Sequence, residues 1–152
     1  MAGPDIVLWL FVVALGAVMG AGLYEARVVI PLWTHTVTGA FQWNADLSRR
    51  TDAGRFWALA TWPFMLLALA SLYFAWHEPG TRREWWLAAA TAIVLERIAD
   101  LAYFVPTMRK LQCVTPSNPH INTMVNRWTA LNHVRTVVVL AAWLAALKAL
   151  TL

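Results

Sequence analysis

The sequence predicts an all-α protein, a four-helix transmembrane bundle that forms a single integral membrane domain over residues 1–152. Of its residues, 60% are hydrophobic and only 13% are charged, whereas soluble domains carry about a quarter charged residues. Four stretches are each long enough to cross a hydrocarbon core, which takes about 20 helical residues. The ten tryptophans cluster near the ends of these stretches, as interfacial anchors do.

The four predicted spans cover approximately residues 6–30, 55–76, 85–105 and 128–150. The first span lacks a basic start and has a longer apolar run than the 7 to 15 residues typical of a secretion signal, so we predict that it stays in the membrane. Pro31 and Pro106 are predicted to end the first and third spans, because proline lacks the amide donor that continues a helix. Pro79 and Gly80 predict a tight turn, which makes the second and third spans antiparallel neighbours.

The longer connections are predicted to contain little regular structure. The connection over residues 32–52 mixes aromatic and polar residues, so part of it is expected to lie along the membrane interface. The connection over residues 107–127 contains Pro116 and Pro119 and is predicted to be irregular.

Charge and cysteine content exclude two functional classes. Cys113 is the single cysteine, so an internal disulfide or a thiol relay is not expected. The formal net charge is only +4, and the basic residues flank the spans instead of forming a tract, which favours the lipid bilayer over nucleic acid as partner. We expect a multi-pass protein of the cytoplasmic membrane of a bacterium.

Polar residues converge on one half of the predicted bundle. A charged side chain at the centre of a bilayer costs about 2.5 to 3.5 kcal/mol on insertion scales, so Glu96, Arg97 and Asp100 are expected to face the protein interior. Because consecutive spans are antiparallel, polar residues of the first and fourth spans reach the same membrane half. The converging group comprises Glu25, Arg27, Glu96, Arg97, Asp100, Asn132, His133 and Arg135.

Helical spacing places two polar stripes opposite each other. Glu96, Asp100 and Tyr103 share one face of the third span, and Trp128, Asn132 and Arg135 share one face of the fourth. One interpretation is a lipid-shielded functional pocket. The alternative is an ion-pair network that only holds the helices in register, although such pairs confer uncertain net stability in a low dielectric.

Three segments of the chain resemble a known family. They are residues 22–33 (GLYEARVVIPLW), residues 97–111, which contain AYFVPTM, and residues 128–135 (WTALNHVR). Together they resemble the anthrone oxygenase family of small four-helix membrane proteins. The resemblance implies an oxidoreductase that oxidises a hydrophobic aromatic or quinone-like substrate, such as an anthrone of aromatic polyketide type, with molecular oxygen. It implies no metal or flavin cofactor.

The chemistry of an anthrone suggests roles for the converging residues. An anthrone has an acidic C–H group near an aromatic carbonyl, so the enzyme needs a base and a clamp for the resulting anion. Histidine ionises near neutral pH, which makes His133 the predicted base, with Asp100 and Glu96 as alternatives. Arg135 and Arg97 would stabilise the developing oxyanion. The residues predicted to bind substrate are Glu25, Arg27, Trp33, Tyr103, Phe104, Trp128 and Asn132.

Other functions remain open at this stage. Glu25, Glu96, Asp100 and His133 together resemble a carboxylate-rich ligand set for iron or copper, although neither glutamate has the histidine three residues later that ferritin-like sites use. A haem held between His35 and His133 is a further alternative. A non-enzymatic lipid-binding or quinone-binding protein, or a carrier that works as a homo-oligomer, would use the same charges.

Overall fold

The computed structural model describes residues 3–37, 40–50, 53–113 and 120–152, without the side chains of residues 34–43, 45, 49, 53 and 54. The described chain forms an all-α bundle of four long helices, accompanied by one short hairpin. Each long helix packs against two others, in the cyclic order first, second, third, fourth. The predicted fold class is confirmed.

The elements follow one another along the chain as four long helical units and a small connecting structure. The first long helix comprises α1 (Gly3–Tyr24), a first π segment (Glu25–Val29) and α2 (Ile30–Trp33). The connection forms an antiparallel hairpin of β1 (Thr34–Val37) and β2 (Ala40–Trp43), followed by α3 (Ala45–Arg50). The second long helix is α4 (Ala53–His77), the third comprises α5 (Thr81–Ala99), a second π segment (Asp100–Phe104) and α6 (Val105–Cys113), and the fourth is α7 (Ile121–Leu150).

Three of the described helices are long and apolar enough to cross a membrane: Gly3–Trp33, Arg55–His77 and Ile121–Leu150. The protein is therefore a membrane protein. The third long helix is not among the three, because its charged residues lower its hydropathy. That this helix also crosses the membrane stays a prediction.

The expectation that Pro31 and Pro106 end their helices is wrong. Pro31 lies within α2, and Pro106 is the second residue of α6, which continues to Cys113. In an α-helix a proline ring collides with the carbonyl group four residues earlier. Here each proline lies two residues after the end of a wider π segment, which is closed by hydrogen bonds from Ile30 N–H to Glu25 O and from Val105 N–H to Asp100 O. The wider turn accommodates the proline and lets the helix continue.

The two longer connections also contain more regular structure than predicted. Residues 32–50 include the end of α2, the hairpin and α3. In the connection predicted to be irregular, α6 runs to Cys113 and α7 already begins at Ile121. Pro116 and Pro119 lie outside the described residues.

The half of the bundle near the α4–α5 turn is a close-packed apolar core. Small residues such as Ala68, Ala89 and Ala146 are fully buried there. Small side chains let membrane helices approach each other closely, which favours van der Waals packing. The other half holds larger aromatic side chains and the buried charges, so the helices leave space between them.

Candidate functional site

A cavity of about 480 Å³ lies in the polar half of the bundle. This volume falls in the range of about 300 to 1,000 Å³ that is usual for small-molecule sites. All four long helices and α3 contribute to its lining. The lining residues are Glu25, Trp33, Ser48, Trp57, Ala58, Thr61, Trp62, Met65, Arg97, Asp100, Leu101, Phe104, Val105, Met108, Arg109, Gln112, Trp128, Asn132 and Arg135.

Two arginines and two carboxylates form a connected network at one end of the cavity. Arg97 donates from Nε to Glu96 Oε2 at 2.5 Å and from Nη2 to Glu96 Oε1 at 2.6 Å. Arg135 Nη1 donates to Asp100 Oδ1 at 2.7 Å, and Arg97 Nη1 lies 3.4 Å from Asp100 Oδ2. These contacts fix Arg97 and Arg135 beside Asp100, with Glu96 behind them, and they compensate charges that would otherwise be costly to bury.

Glu25 belongs to the same end of the cavity but has a different partner. Its Oε2 accepts a hydrogen bond of 2.9 Å from the indole Nε1 of Trp57. Arg135 is close enough to act electrostatically on the Glu25 carboxylate. Glu25 is therefore held by a neutral indole, whereas Asp100 is held by a guanidinium group.

Aromatic side chains form the walls next to the charges. The rings of Phe104 and Trp128 meet edge to face with centroids 6.4 Å apart, and Trp33 is fully buried. The guanidinium carbon of Arg135 lies 5.2 Å from the centre of the Phe104 ring. In the described part of the chain, the buried indole Nε1 of Trp128 has no hydrogen-bond partner. Because buried donors are normally satisfied, this N–H is available to an acceptor atom of a ligand.

The structure brings eight of the twelve predicted site residues to the cavity. These are Glu25, Trp33, Arg97, Asp100, Phe104, Trp128, Asn132 and Arg135. The predicted face of α7 is correct, since Trp128, Asn132 and Arg135 all line the cavity. Glu96 is buried beside the cavity, where it holds Arg97.

Three predicted residues point elsewhere. His133 is exposed because it follows Asn132 by one position, which rotates its side chain off the cavity face of α7. Arg27 is likewise exposed on the first π segment. Tyr103 packs against Phe104 and beneath Arg127, because the π turn holds more residues than an α turn and brings Phe104 to the cavity instead.

Sequence reasoning missed the contribution of the second long helix. Trp57, Thr61 and Met65 of α4 line the cavity. Their spacing of four residues places them on one helical face, and this face begins at the membrane side where the charges converge. The periodicity was therefore available, but no charged residue drew attention to it.

The described residues do not form a metal site. Among them, no group of three or more histidine, cysteine, aspartate or glutamate side chains is arranged to hold a metal ion. Glu96 and Asp100 are instead bound to arginines. For the haem alternative, His133 is exposed outside the cavity, and the side chain of His35 lies outside the described residues.

Comparison with known protein families identifies a match over more than half of the chain. The family model described as anthrone oxygenase matches residues 55–145. The matched range contains α4, α5, the second π segment, α6 and most of α7, and thus most of the residues that line the cavity. No curated protein and no solved structure matches the chain.

Proposed function

Because the chain belongs to the anthrone oxygenase family, we propose that it is a membrane-embedded oxygenase that oxidises a flat, hydrophobic aromatic or quinone-like substrate in the cavity described above. One observation carries the proposal: aromatic walls lead to a buried end where two carboxylates, two guanidinium groups and an amide face the same space. A polycyclic ketone matches this arrangement, with its rings between the aromatic side chains and its oxygen at the cationic end.

The proposed reaction starts with removal of a proton. Glu25 takes a proton from the CH₂ group of the anthrone, and the electron pair delocalises into the carbonyl to give an enolate. Among Glu25, Glu96 and Asp100, the last two are paired with Arg97 and Arg135. Three carboxylates therefore face two guanidinium groups, so one carboxylate of the cluster can carry a proton without leaving an arginine unpaired.

The cationic end stabilises the charge that develops on the substrate oxygen. Arg135 and Asn132 both line the cavity, and the indole N–H of Trp128 is a further donor. Such donors act strongly where water is excluded, because the local dielectric is low and the dipoles are already oriented. This stabilisation makes the proton easier to remove.

Molecular oxygen is the oxidant. The electron-rich enolate carbon reacts with O₂, the O–O bond is broken, and the carbon becomes the second carbonyl of the quinone. One oxygen atom enters the quinone, and the other leaves as water with the two hydrogens of the CH₂ group. The residues of the chain bind the substrate, hold the oxyanion and accept the proton.

The proposal also covers the setting of the reaction. We place the enzyme in the cytoplasmic membrane of a bacterium, with an anthrone of aromatic polyketide type as the substrate to test first. The bilayer concentrates such a flat apolar molecule next to the protein.

Purified protein in liposomes with dithranol provides the test, with O₂ consumption and quinone absorbance as readouts. We expect stoichiometric turnover above the background of protein-free liposomes, and its loss in Arg135→Gln. Arg27→Gln is the matched control, because Arg27 is exposed outside the cavity. Binding of dithranol without turnover would instead support a quinone-binding protein. A visible absorption band of the purified protein, or a stoichiometric amount of bound metal, would support a cofactor-dependent enzyme. Either result would overturn the proposed mechanism.

A further inference from the structure

The cavity reaches the surface of the bundle between two long helices. Trp62 of α4 and Leu101 of the second π segment both line the cavity. Their exposed fractions are nevertheless 69% and 49%. A residue that both lines a cavity and is largely exposed marks a place where the cavity opens, so Trp62 and Leu101 form the two sides of a lateral opening.

The surface around this opening is apolar. On α4, Leu59 and Leu66 flank Trp62 at spacings of three and four residues, and both are strongly exposed. On the third long helix, Ile98 is exposed three residues before Leu101. A large exposed apolar surface on a membrane-spanning helix is the surface that contacts lipid tails. The opening therefore faces the bilayer.

The depth of the opening agrees with this orientation. Trp62 lies seven residues after Arg55, where the second membrane-spanning segment begins. At a rise of 1.5 Å per residue, this spacing corresponds to about 10 Å along the helix. Since the hydrocarbon core is about 30 Å thick, the opening lies within the hydrocarbon region of one leaflet.

Side-chain size explains why the helices separate at this level. Near the α4–α5 turn, Ala68 and Ala75 of α4 are fully buried, as are Ala89 and Ala90 of α5. In the half of the bundle that holds the charges, the second π segment lines the cavity with Asp100, Leu101 and Phe104. Ala58 of α4 is too short to fill this space.

We propose that the substrate reaches the site sideways from the bilayer, between Trp62 and Leu101, and that these two residues select flat lipid-soluble molecules. The inference rests on the proposed function for the identity of the substrate, an uncharged polycyclic aromatic compound. Such a molecule partitions into lipid, so a lateral route spares it a passage through water. Away from the charged end, the cavity has a second polar end, which is lined by Ser48, Arg109 and Gln112. Entry of the substrate from the aqueous side through this polar end is the competing route.

A first test narrows the opening and measures turnover of dithranol in liposomes. Leu101→Trp is expected to lower kcat/KM, because the larger side chain obstructs the passage between α4 and the π segment. Leu95→Trp is the matched control, since Leu95 is similarly exposed on the same long helix but does not line the cavity. Equal loss of kcat/KM in both variants, or in neither, would overturn the lateral route.

A second test needs no turnover and thus separates the route from the proposed reaction. Cys113 is replaced by serine, and Thr61→Cys places the single thiol in the cavity wall. A pyrene maleimide dissolved in the liposome membrane is expected to label this thiol. Adding Leu101→Trp is expected to slow the labelling, and adding Trp62→Ala to accelerate it.

The labelling experiment has a clear contrary outcome. If a charged, membrane-impermeant maleimide labels Thr61→Cys faster than the pyrene maleimide does, and Leu101→Trp changes neither rate, the cavity is reached through its polar end. That result would refute the lateral route. It would leave the proposed oxygenase reaction untouched.

Discussion

Glu25 and Asp100 are both carboxylates at the same cavity, but their partners give them different chemical properties. Asp100 is bound by Arg135 and lies near Arg97, while Glu25 accepts a hydrogen bond from a neutral indole. The oxygens of Asp100 are thus engaged by guanidinium groups, whereas the described contacts include no ion pair between Glu25 and an arginine. These different partners support the proposed role of Glu25 in proton transfer, while Asp100 holds Arg135.

The first residue-scale prediction concerns the base. Glu25→Gln keeps the hydrogen bond with Trp57 available but cannot accept the substrate proton. We expect the rate of O₂ consumption with dithranol to fall by about 10² to 10⁴, the usual contribution of a general base. His133→Ala is expected to retain activity because His133 is exposed. The opposite pattern, with His133 essential and Glu25 dispensable, would rule out this assignment.

The second residue-scale prediction concerns the buried pair of Glu96 and Arg97. Removing one partner of such a pair leaves an uncompensated charge and costs about 3 to 5 kcal/mol. We expect Glu96→Gln to lower the thermal unfolding temperature in detergent, and a second substitution, Arg97→Met, to restore part of the loss.

The chain offers a matched control for this pair. Arg82 and Asp5 form a contact of 2.7 Å, but their side chains are 22% and 34% exposed. Arg82 also lies 3.3 Å from Glu78. These partly exposed contacts are weakened by solvent and approach the value of about 0 to 1 kcal/mol that is typical of surface pairs. Arg82→Gln should therefore shift the unfolding temperature much less than Glu96→Gln. Similar shifts in both variants would show that burial does not determine the strength of the Glu96–Arg97 pair.

At the scale of the helices, two π segments set the geometry of the site. Each begins with a carboxylate residue that lines the cavity, Glu25 or Asp100. In each case, one helical residue separates the end of the π segment from a proline. Single π turns within α-helices are often found at functional sites. Of the two neighbouring residues that were predicted to bind substrate, Phe104 lines the cavity and Tyr103 does not, which is consistent with the wider turn of the π segment.

The element-scale prediction concerns the packing of α1 against α7. A Cβ atom at Gly16 would lie 3.3 Å from Cζ2 of Trp143, whereas a Cβ atom at Gly20 would meet no atom within 4 Å. Replacing a helical glycine by alanine favours the helix by up to about 1 kcal/mol. We expect Gly20→Ala to match or exceed the parent protein in thermal stability and Gly16→Ala to be less stable than Gly20→Ala. Equal unfolding temperatures of Gly16→Ala and Gly20→Ala would mean that the side chain of Trp143 moves aside without an energetic cost.

Helical periodicity predicted part of the site correctly for a simple reason. Trp128, Asn132 and Arg135 lie on a regular α-helix, so their spacing fixes a common face. The same rule failed for Tyr103, because the sequence pattern gives no direct sign of a π turn. Applied strictly, the rule would have excluded His133, because its position one residue after Asn132 rotates its side chain off the face that Trp128, Asn132 and Arg135 share.

At the scale of the molecule, the third long helix determines the topology. It runs from Thr81 to Cys113, which at 1.5 Å per residue corresponds to about 50 Å and exceeds a hydrocarbon core of about 30 Å. It packs alongside α4 and α7, both of which are apolar enough to cross a membrane. We therefore expect four crossings, which places both ends of the chain on the same side.

Thiol labelling of liposomes with a membrane-impermeant maleimide checks this topology. The native Cys113 is exposed and is expected to be labelled from one side only. In a Cys113→Ser background, Thr81→Cys and Leu152→Cys are expected to be labelled from the opposite side. Labelling of Cys113 and Thr81→Cys from the same side, with Leu152→Cys labelled from the other side, would show that the third long helix does not cross.

The sequence by itself determined that this is a helical membrane protein with charges gathered in one half, because span length and insertion cost depend on local composition. Only the tertiary structure decided which of those charges share a space, that α4 forms a wall of the cavity, and that Glu25 rests on an indole while Asp100 is bound by arginine. These features depend on the rotation of each helix about its axis and on the gaps between helices, and both are set by packing between segments far apart in the chain.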